Sequence, residues 1–440
     1  MHLGGFGGMA AATAIVAVMY LCLCFSLAEM APAIPYAGGA YAFARTAFGP
    51  WAGFFTGVAE FIEFVLTPAV IVVGIGSYVG AAVHIALGID LPAPVWWLVF
   101  YAAFVGINLG GVEPTFRMAV VLTLLALGVL VVSWVGAAFH FSWDLALNIE
   151  PEPGNSRWLP MGWFGVAQAL PFAIWFYLAI EQLPLASEEA RSPRRDMPKA
   201  LVGGVVALIA ISVLTLVLNS GIGPGAAGVG KSREPLLLAF ESIFGSGLGI
   251  SVLALVAIVG LVASFHAIIY AYSRRLHSLS RAGYFPGWLS LTHSRTRTPY
   301  PALIAGAVIG FGVAMVIEFG HQWFGERAPV GAVLLNMAVF GAVIAYIMQM
   351  VSFVRLRRRY PWLHRPYRSL LGSAGAIVAA IIACVTLIFL VANNEHRAGI
   401  YGCAIFFAIA LLYFGLVGRK RLAGSLEESF ALRLEEEERP

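Results

Sequence analysis

The chain has 440 residues, 60% of them hydrophobic and 11% charged, with a formal net charge of +4. A soluble domain carries about 25% charged residues, so this composition excludes a water-soluble globule. Windows of about 20 apolar residues recur along nearly the whole length, each able to cross about 30 Å of hydrocarbon, and the chain reads as a polytopic helical membrane protein.

In chain order the windows predict eleven spans: 9–30, 52–80, 93–109, 117–139, 161–183, 200–220, 247–272, 301–319, 329–353, 370–392 and 399–418. Of the 27 Lys and Arg residues, 22 fall in one set of loops and the C-terminal tail. The opposite loops hold Arg157, Lys231, Arg233, Arg327 and Arg397. The positive-inside rule makes the first set, and the C-terminus, cytoplasmic. The opening MHLGGFGGM has no signal-peptide pattern and enters a span almost at once. Eleven spans with the C-terminus inside put the N-terminus outside, so a helix preceding residue 1 is expected to be missing from this chain. A natural eleven-span protein is the alternative.

Trp96, Trp97, Trp158, Trp163, Trp288, Trp323 and Trp362 lie near predicted helix ends, as interfacial anchors do. Gly53/Gly57, Gly106/Gly110 and Gly306/Gly310 have the spacing that lets helices approach closely. Cys22, Cys24, Cys384 and Cys403 all fall in apolar spans and read as small core residues, without metal-ligand spacing. The tail from Ser425 to Pro440 is polar and acidic and reads as a solvated end.

The segment Met161–Glu189 departs from this pattern. It is apolar enough to span, yet it holds Pro171, Pro184 and Glu181. Each proline removes a backbone donor and clashes with the carbonyl four residues back, here Ala167 and Ile180. In hydrocarbon a broken helix survives only where protein or a wet cavity satisfies the freed groups. A broken span carrying an acid and the run Trp175-Phe176-Tyr177 is what a midplane binding site needs. The competing reading is a proline-kinked packing helix.

An ionisable group at the bilayer centre costs about 2.5–3.5 kcal/mol even on the lenient scale. Lys and Arg are absent from the middle of every predicted span, whereas Glu60, Glu63 and Glu181 are present. Glu29 borders a cytoplasmic loop and Glu318 a predicted outer boundary. Glu60 and Glu63 are three apart, hence on one helix face about 5–6 Å from each other. In low dielectric one of them is expected to hold a proton, making the pair a candidate proton or cation site. Alternatively Glu60 reaches water and only Glu63 is buried. Glu181 is either a substrate or proton group, or a structural acceptor for freed amides. His266 is a candidate proton relay, since imidazole titrates near neutrality, or a bond to a neighbouring helix. Acids without basic partners point to cationic cargo or moving protons, and an ammonium is drawn to a ring face by roughly 0.5–2 kcal/mol. No nucleophile–base pair, phosphate loop or metal cluster stands out, so neither enzyme activity, cofactor nor metal is expected. The basic residues follow topology and form no continuous stripe, which argues against nucleic acid.

Three stretches together resemble a known family. SLAEMAPAIPYAGGAYAFARTAFGP (26–50) is similar to the loop after the second helix of amino acid–polyamine–organocation (APC) transporters. Glu181 with Ser187-Glu188-Glu189-Ala190, Pro193, Pro198 and Lys199 resembles the sixth helix and its following loop. Arg274-Arg275, Arg281-Ala282-Gly283, Pro286 and Pro299/Pro301 resemble the loop between helices eight and nine. Residues 59–78 and 171–198 look most like the ethanolamine permeases. The resemblance implies an all-α inverted-repeat transporter with about 11 transmembrane helices, the twelve-helix fold without its first. Residues 1–142 would be a first repeat with four helices present. Residues 161–355 would be a second repeat of five helices, the first discontinuous. Two peripheral helices (370–418) and a cytoplasmic tail (419–440) would follow. It further implies substrate at the midplane, with Trp175 where relatives place an aromatic and Tyr177 close by. The fifth-helix lysine of some proton-coupled relatives has no counterpart in 117–139.

The expectation is therefore a secondary transporter in the cytoplasmic membrane importing a small organic amine, ethanolamine foremost, by alternating access. Substrate-binding candidates are Trp175, Phe176, Tyr177, Glu181 and Glu63; proton or cation coupling candidates are Glu60, Glu63 and His266. An amino-acid or polyamine permease, or a truncated, non-transporting membrane protein or sensor, is the alternative.

Overall fold

The computed structural model describes residues 4–34, 36–232, 235–245, 250–324, 330–393 and 397–424. Arg233, Arg327, the Trp323 side chain and the acidic tail from Ser425 lie outside the described residues. Every backbone polar group in hydrocarbon must be paired within its own segment or a closed barrel, and the described residues answer with helices and no strand. These are α1 (Gly5–Ala33), α2 (Gly39–Phe48), α3 (Pro50–Leu87), α4 (Ala93–Leu109), α5 (Val112–His140), the single turn α6 (Trp143–Ala146), α7 (Gly162–Ile174), α8 (Pro193–Ser220), α9 (Gly225–Lys231), α10 (Pro235–Phe244), α11 (Ile250–Arg281), α12 (Tyr300–Phe324), α13 (Val330–Arg359), α14 (Gly372–Ala392) and α15 (Arg397–Leu416). Eight helices among the described residues are long and apolar enough to cross a membrane. The shorter α4 and α7 occupy two more of the expected windows, and α11 runs nine residues past the expected end at 272.

Local chemistry sets the ends. Gly49, at φ +92°, lets the chain turn out of α2, and Pro50 starts α3 where its missing N–H has no helical partner to lose. Gly88 closes the same helix in the left-handed conformation.

The helices α1, α3 and α13 are mostly buried, whereas α5 and α15 turn most of their apolar surface outward. An exposed apolar surface of that extent is one a bilayer covers. Around the buried trio, α1 packs on α7, α8 and α14, and α3 packs on α11 and α13. Most of the arginine-bearing loops gather at one end. Arg45 donates to the carbonyls of Ala282 and Ala423, and Arg355 to that of Ala47. At the other end Phe6 meets Trp143 and Trp158, and Asn148 bonds to Pro224 and Ala227. The expected two-sidedness is thus built into the packing, with the segment after α15 on the basic face.

Two of the three glycine pairs mark close approaches. A Cβ on Gly57 would lie 2.7 Å from Leu279, and one on Gly306 2.2 Å from the Tyr272 ring. Gly106 meets nothing within 4 Å, so that pair is not a helix crossing. Trp97 is fully buried against Phe311 and is a core residue, not an anchor. Trp158, Trp163 and Trp288 are exposed near helix ends.

A backbone-to-backbone crossing brings Gly341 of α13 against α3, where an added Cβ would sit 2.4 Å from the Ala59 carbonyl oxygen. Backbone cannot swing aside as a side chain can. Gly341→Ala is therefore expected to destabilise by about 1–3 kcal/mol, read as a lower melting temperature of the detergent-purified protein. Gly106→Ala should leave that temperature unchanged or raised, because alanine is the better helix former.

Candidate functional site

The site begins where α7 stops. Pro171 lies inside α7, which runs on past it and ends at Ile174. Residues 175–179 form a non-helical turn, and a 3-10 turn follows from Ile180 to Ala186 with Pro184 inside it. The turn closes on Ala179 at φ +84°, a left-handed conformation rare outside glycine. Such strain persists only where surroundings impose it, and it clusters at functional sites. The Ala179 N–H, which no longer has a helical acceptor, donates to Glu181 Oε1 at 3.1 Å.

The second oxygen of Glu181 has no hydrogen-bond partner, and neither has either oxygen of Glu63. Both residues are buried, and their carboxyl groups face one another between α3 and the broken segment, with the Tyr346 hydroxyl beside Glu181. Tyr346 shares a 2.8 Å hydrogen bond with Tyr20 of α1. The Tyr20 ring lies 5.3 Å from that of Tyr177. Tyr177 is fully buried and its hydroxyl is occupied by Ser212 Oγ at 2.8 Å and the Thr13 carbonyl at 3.3 Å. Trp175 and Phe176 remain half-buried in the turn. The structure thus brings together Glu63, Glu181 and the aromatic run, and adds Tyr20 and Tyr346. Sequence reasoning missed these two tyrosines; the signal was present, since a hydroxyl inside an apolar span must find a partner.

Glu60 behaves differently from its neighbour. Arg275 Nη2 donates to its Oε1 at 2.5 Å, both side chains being almost wholly buried, and Arg275 Nη1 donates to the Gly38 carbonyl at 2.5 Å. The expected Glu60–Glu63 partnership is replaced by Glu60 with Arg275 and Glu63 with Glu181. The expectation that the membrane acids lack basic partners is corrected for Glu60 and for Glu29. Glu29 is held by Arg357 at 2.6 and 2.8 Å, Arg365 at 3.0 Å and the Ser369 amide at 2.8 Å. Arg275 was read as a loop residue, but α11 carries it inside because Glu60 awaits it. His266 is buried, with Nε2 on the Thr115 carbonyl at 2.9 Å and its ring against Phe104. Its partners are on α4 and α5, and none is an acid.

Beyond the 3-10 turn the chain is tied to α11 on the basic face. Glu189 takes two hydrogen bonds from Arg274, at 2.6 and 2.8 Å, and one from Tyr270 at 2.6 Å. Glu188 accepts from Arg281 at 2.7 Å and from the Ala37 amide at 3.0 Å. Burial alone would raise the Glu188 carboxyl, but these donors, Arg281 first, leave it below the ordinary carboxylate value. A lowered carboxylate contributes stability above its unfolded-state value and loses it as pH falls through the folded one. The latch is therefore intact at neutral pH.

The sequence profile of the amino acid permease family matches residues 1–418. An uncharacterized transporter of Rhizobium meliloti (strain 1021) is 27% identical over 417 residues, covering 93% of this chain and 85% of the relative. The branched-chain amino acid permease BcaP of Bacillus subtilis (strain 168) is 24% identical over 425 residues, 94% and 86% of the two chains. A D-serine/D-alanine/glycine transporter of Escherichia coli O6:H1 is 23% identical over 390 residues, 87% and 80%.

Removing one partner of a buried ion pair costs about 3–5 kcal/mol, because the other charge is left uncompensated. Arg275→Gln is expected to lower the melting temperature of the purified protein accordingly. Adding Glu60→Gln to that variant should recover most of the loss. Equal melting temperatures for wild type and Arg275→Gln would show that the pair contributes nothing.

Proposed function

This chain belongs to the amino acid permease family, and on that premise we propose that it is a secondary active transporter importing a small organic amine, ethanolamine foremost, across the cytoplasmic membrane by alternating access. The observation that carries the reading is the pair Glu63 and Glu181: two buried carboxyl groups against each other, with no cationic side chain hydrogen-bonded to either among the described residues. Two such groups cannot both be ionised in an apolar surround without a proton or a cation beside them. An ammonium supplies that charge, and the ring faces of Trp175 and Phe176 in the adjoining turn suit it. A proton supplies it equally, so exchange of amine for proton at one pair gives a route to coupling. Glu60 serves this less well, being neutralised by Arg275, and the partners of His266 make it a weaker relay than Glu63.

Ethanolamine has an ammonium and a hydroxyl but no carboxylate, which matches a site rich in acids and tyrosine hydroxyls. In this reading α1 to α5 form the first repeat and α7 to α13 the second. The basic face is cytoplasmic by the positive-inside rule. The second reading is an amino-acid permease, and the names of the Bacillus and Escherichia relatives favour it.

Uptake of labelled ethanolamine by cells expressing the protein tests both. Glu63→Gln and Glu181→Gln each keep the shape but remove the charge. A charged hydrogen bond is worth about 1.5–3 kcal/mol, so each variant should lose about 10- to 150-fold in apparent affinity. Unchanged uptake in either variant removes that residue from the substrate path. Branched-chain amino acids or D-serine that compete with the label and are themselves carried faster would shift the substrate to a zwitterion.

A further inference from the structure

The run RLRRR that ends α13 divides its arginines between two faces. Arg357 turns inward to Glu29. Arg355, Arg358 and Arg359 stand at i, i+3 and i+4, hence on one face, and all three are exposed. None of them pairs with a carboxylate among the described residues. Arg355 is fixed at the rim, its Nε donating to the Ala47 carbonyl at 2.7 Å and its guanidinium stacked 4.6 Å from the Phe48 ring.

Below these arginines opens a groove of about 830 Å³ between α13 and α14. Ala376, Ala380 and Cys384 recur every fourth residue on α14 and leave room along its floor, while Ile377, Ile381 and Val385 stand as an exposed apolar wall. Cys384, expected in the core, is exposed here. From Ala376 to Val385 the groove descends about 13.5 Å at 1.5 Å per residue, close to half of the roughly 30 Å hydrocarbon core. An apolar slot one leaflet deep, with three guanidinium groups at its mouth that no carboxylate among the described residues neutralises, has the shape and charge of one kind of ligand. Basic pockets between membrane helices bind anionic headgroups in this way.

We propose that this groove is a binding site for an anionic phospholipid of the basic-face leaflet. Its phosphate is held by Arg355, Arg358 and Arg359, and its acyl chains lie between α13 and α14. The bound lipid bridges α13, which lines the buried site through Tyr346, to the peripheral helix α14.

The test uses the full chain purified in detergent, incubated with phosphatidylglycerol or with phosphatidylcholine, and examined by native mass spectrometry. Wild type should retain one phosphatidylglycerol in clear preference to phosphatidylcholine. Arg358→Gln with Arg359→Gln, neither of which holds a neighbouring helix by a hydrogen bond, should reduce that preference about fivefold per arginine. Ala380→Phe, with all three arginines in place, should block the floor and lose the lipid. Equal retention of both lipids by wild type, or undiminished phosphatidylglycerol on either variant, overturns the assignment. A lipid-free dimer that Ala380→Phe converts to monomer also overturns it, in favour of a second copy as the occupant.

Discussion

A carboxylate inside hydrocarbon must be paired, protonated or kept from lipid, and four buried glutamates here meet that constraint in different ways. Glu29 has two arginines and an amide. Glu60 has Arg275 on one oxygen. Glu181 spends one oxygen on the Ala179 amide and leaves the other unbonded. Glu63 meets only the facing Glu181 carboxyl, and no amide, hydroxyl or cation bonds to either of its oxygens among the described residues. The order is spatial as well as chemical. Satisfaction is fullest on the basic face, where α1 and α13 meet the connector that leads to α14, and falls to nothing at the helix break. A protein that needed only to fold would gain by replacing Glu63 with an apolar residue, since burying a poorly satisfied polar group is costly. Its placement against Glu181 is the feature that folding does not explain.

The fold was legible because its signals are long. Each apolar window carries some twenty residues of evidence, and the arginine bias adds a second, independent one. The site was legible in part, since a midspan acid is rare enough to stand out by itself. What failed were inferences drawn from a single residue about its neighbour. The two prolines signalled a broken span but not its position: Pro171 is absorbed by a helix packed on both sides, and the break falls at 175–179, between the two. Trp97 lies near a helix end in sequence, yet α4 turns it into the core against Phe311. Gly106 has the spacing of a crossing, yet nothing among the described residues comes within 4 Å of a Cβ added there. Arg275 was placed in a loop because the apolar window ends at 272. Its buried partner comes from a helix more than two hundred residues away, and pairing of that kind leaves no local trace.

The break itself illustrates how strain is held. Ala179 would not adopt φ +84° in isolation, and a proline nearby does not force it to. Glu181 fixes the turn by accepting the Ala179 amide, and Tyr177 anchors its other end through Thr13 on α1 and Ser212 on α8. Two flanking helices thus determine a conformation that the segment's own sequence does not. One residue serves both purposes at Glu181, which closes the turn with Oε1 and faces Glu63 with the rest of its carboxyl group. The structural and the chemical interpretations of this acid are therefore not rivals.

The geometry also ties the buried pair to the basic face. The loop that follows α1 is gripped twice from α11: Arg275 donates to the Gly38 carbonyl, and Arg281 holds Glu188, which in turn accepts the Ala37 amide. Glu188 follows the 3-10 turn that begins at Ile180, so the latch and the helix break are the two ends of one short segment. Arg275 meanwhile reaches Glu60, one helical turn from Glu63 on α3. A change of charge at Glu63 and Glu181 therefore acts on two arms, α3 and the 3-10 turn, that meet again at residues 37 and 38. Both grips on that loop lead back, through Glu60 and through Glu188, to the two elements that carry Glu63 and Glu181. The carboxyl pair and the latch are for this reason parts of one connected set of buried charges and hydrogen bonds, running from Glu63 and Glu181 to the loop at residues 37 and 38.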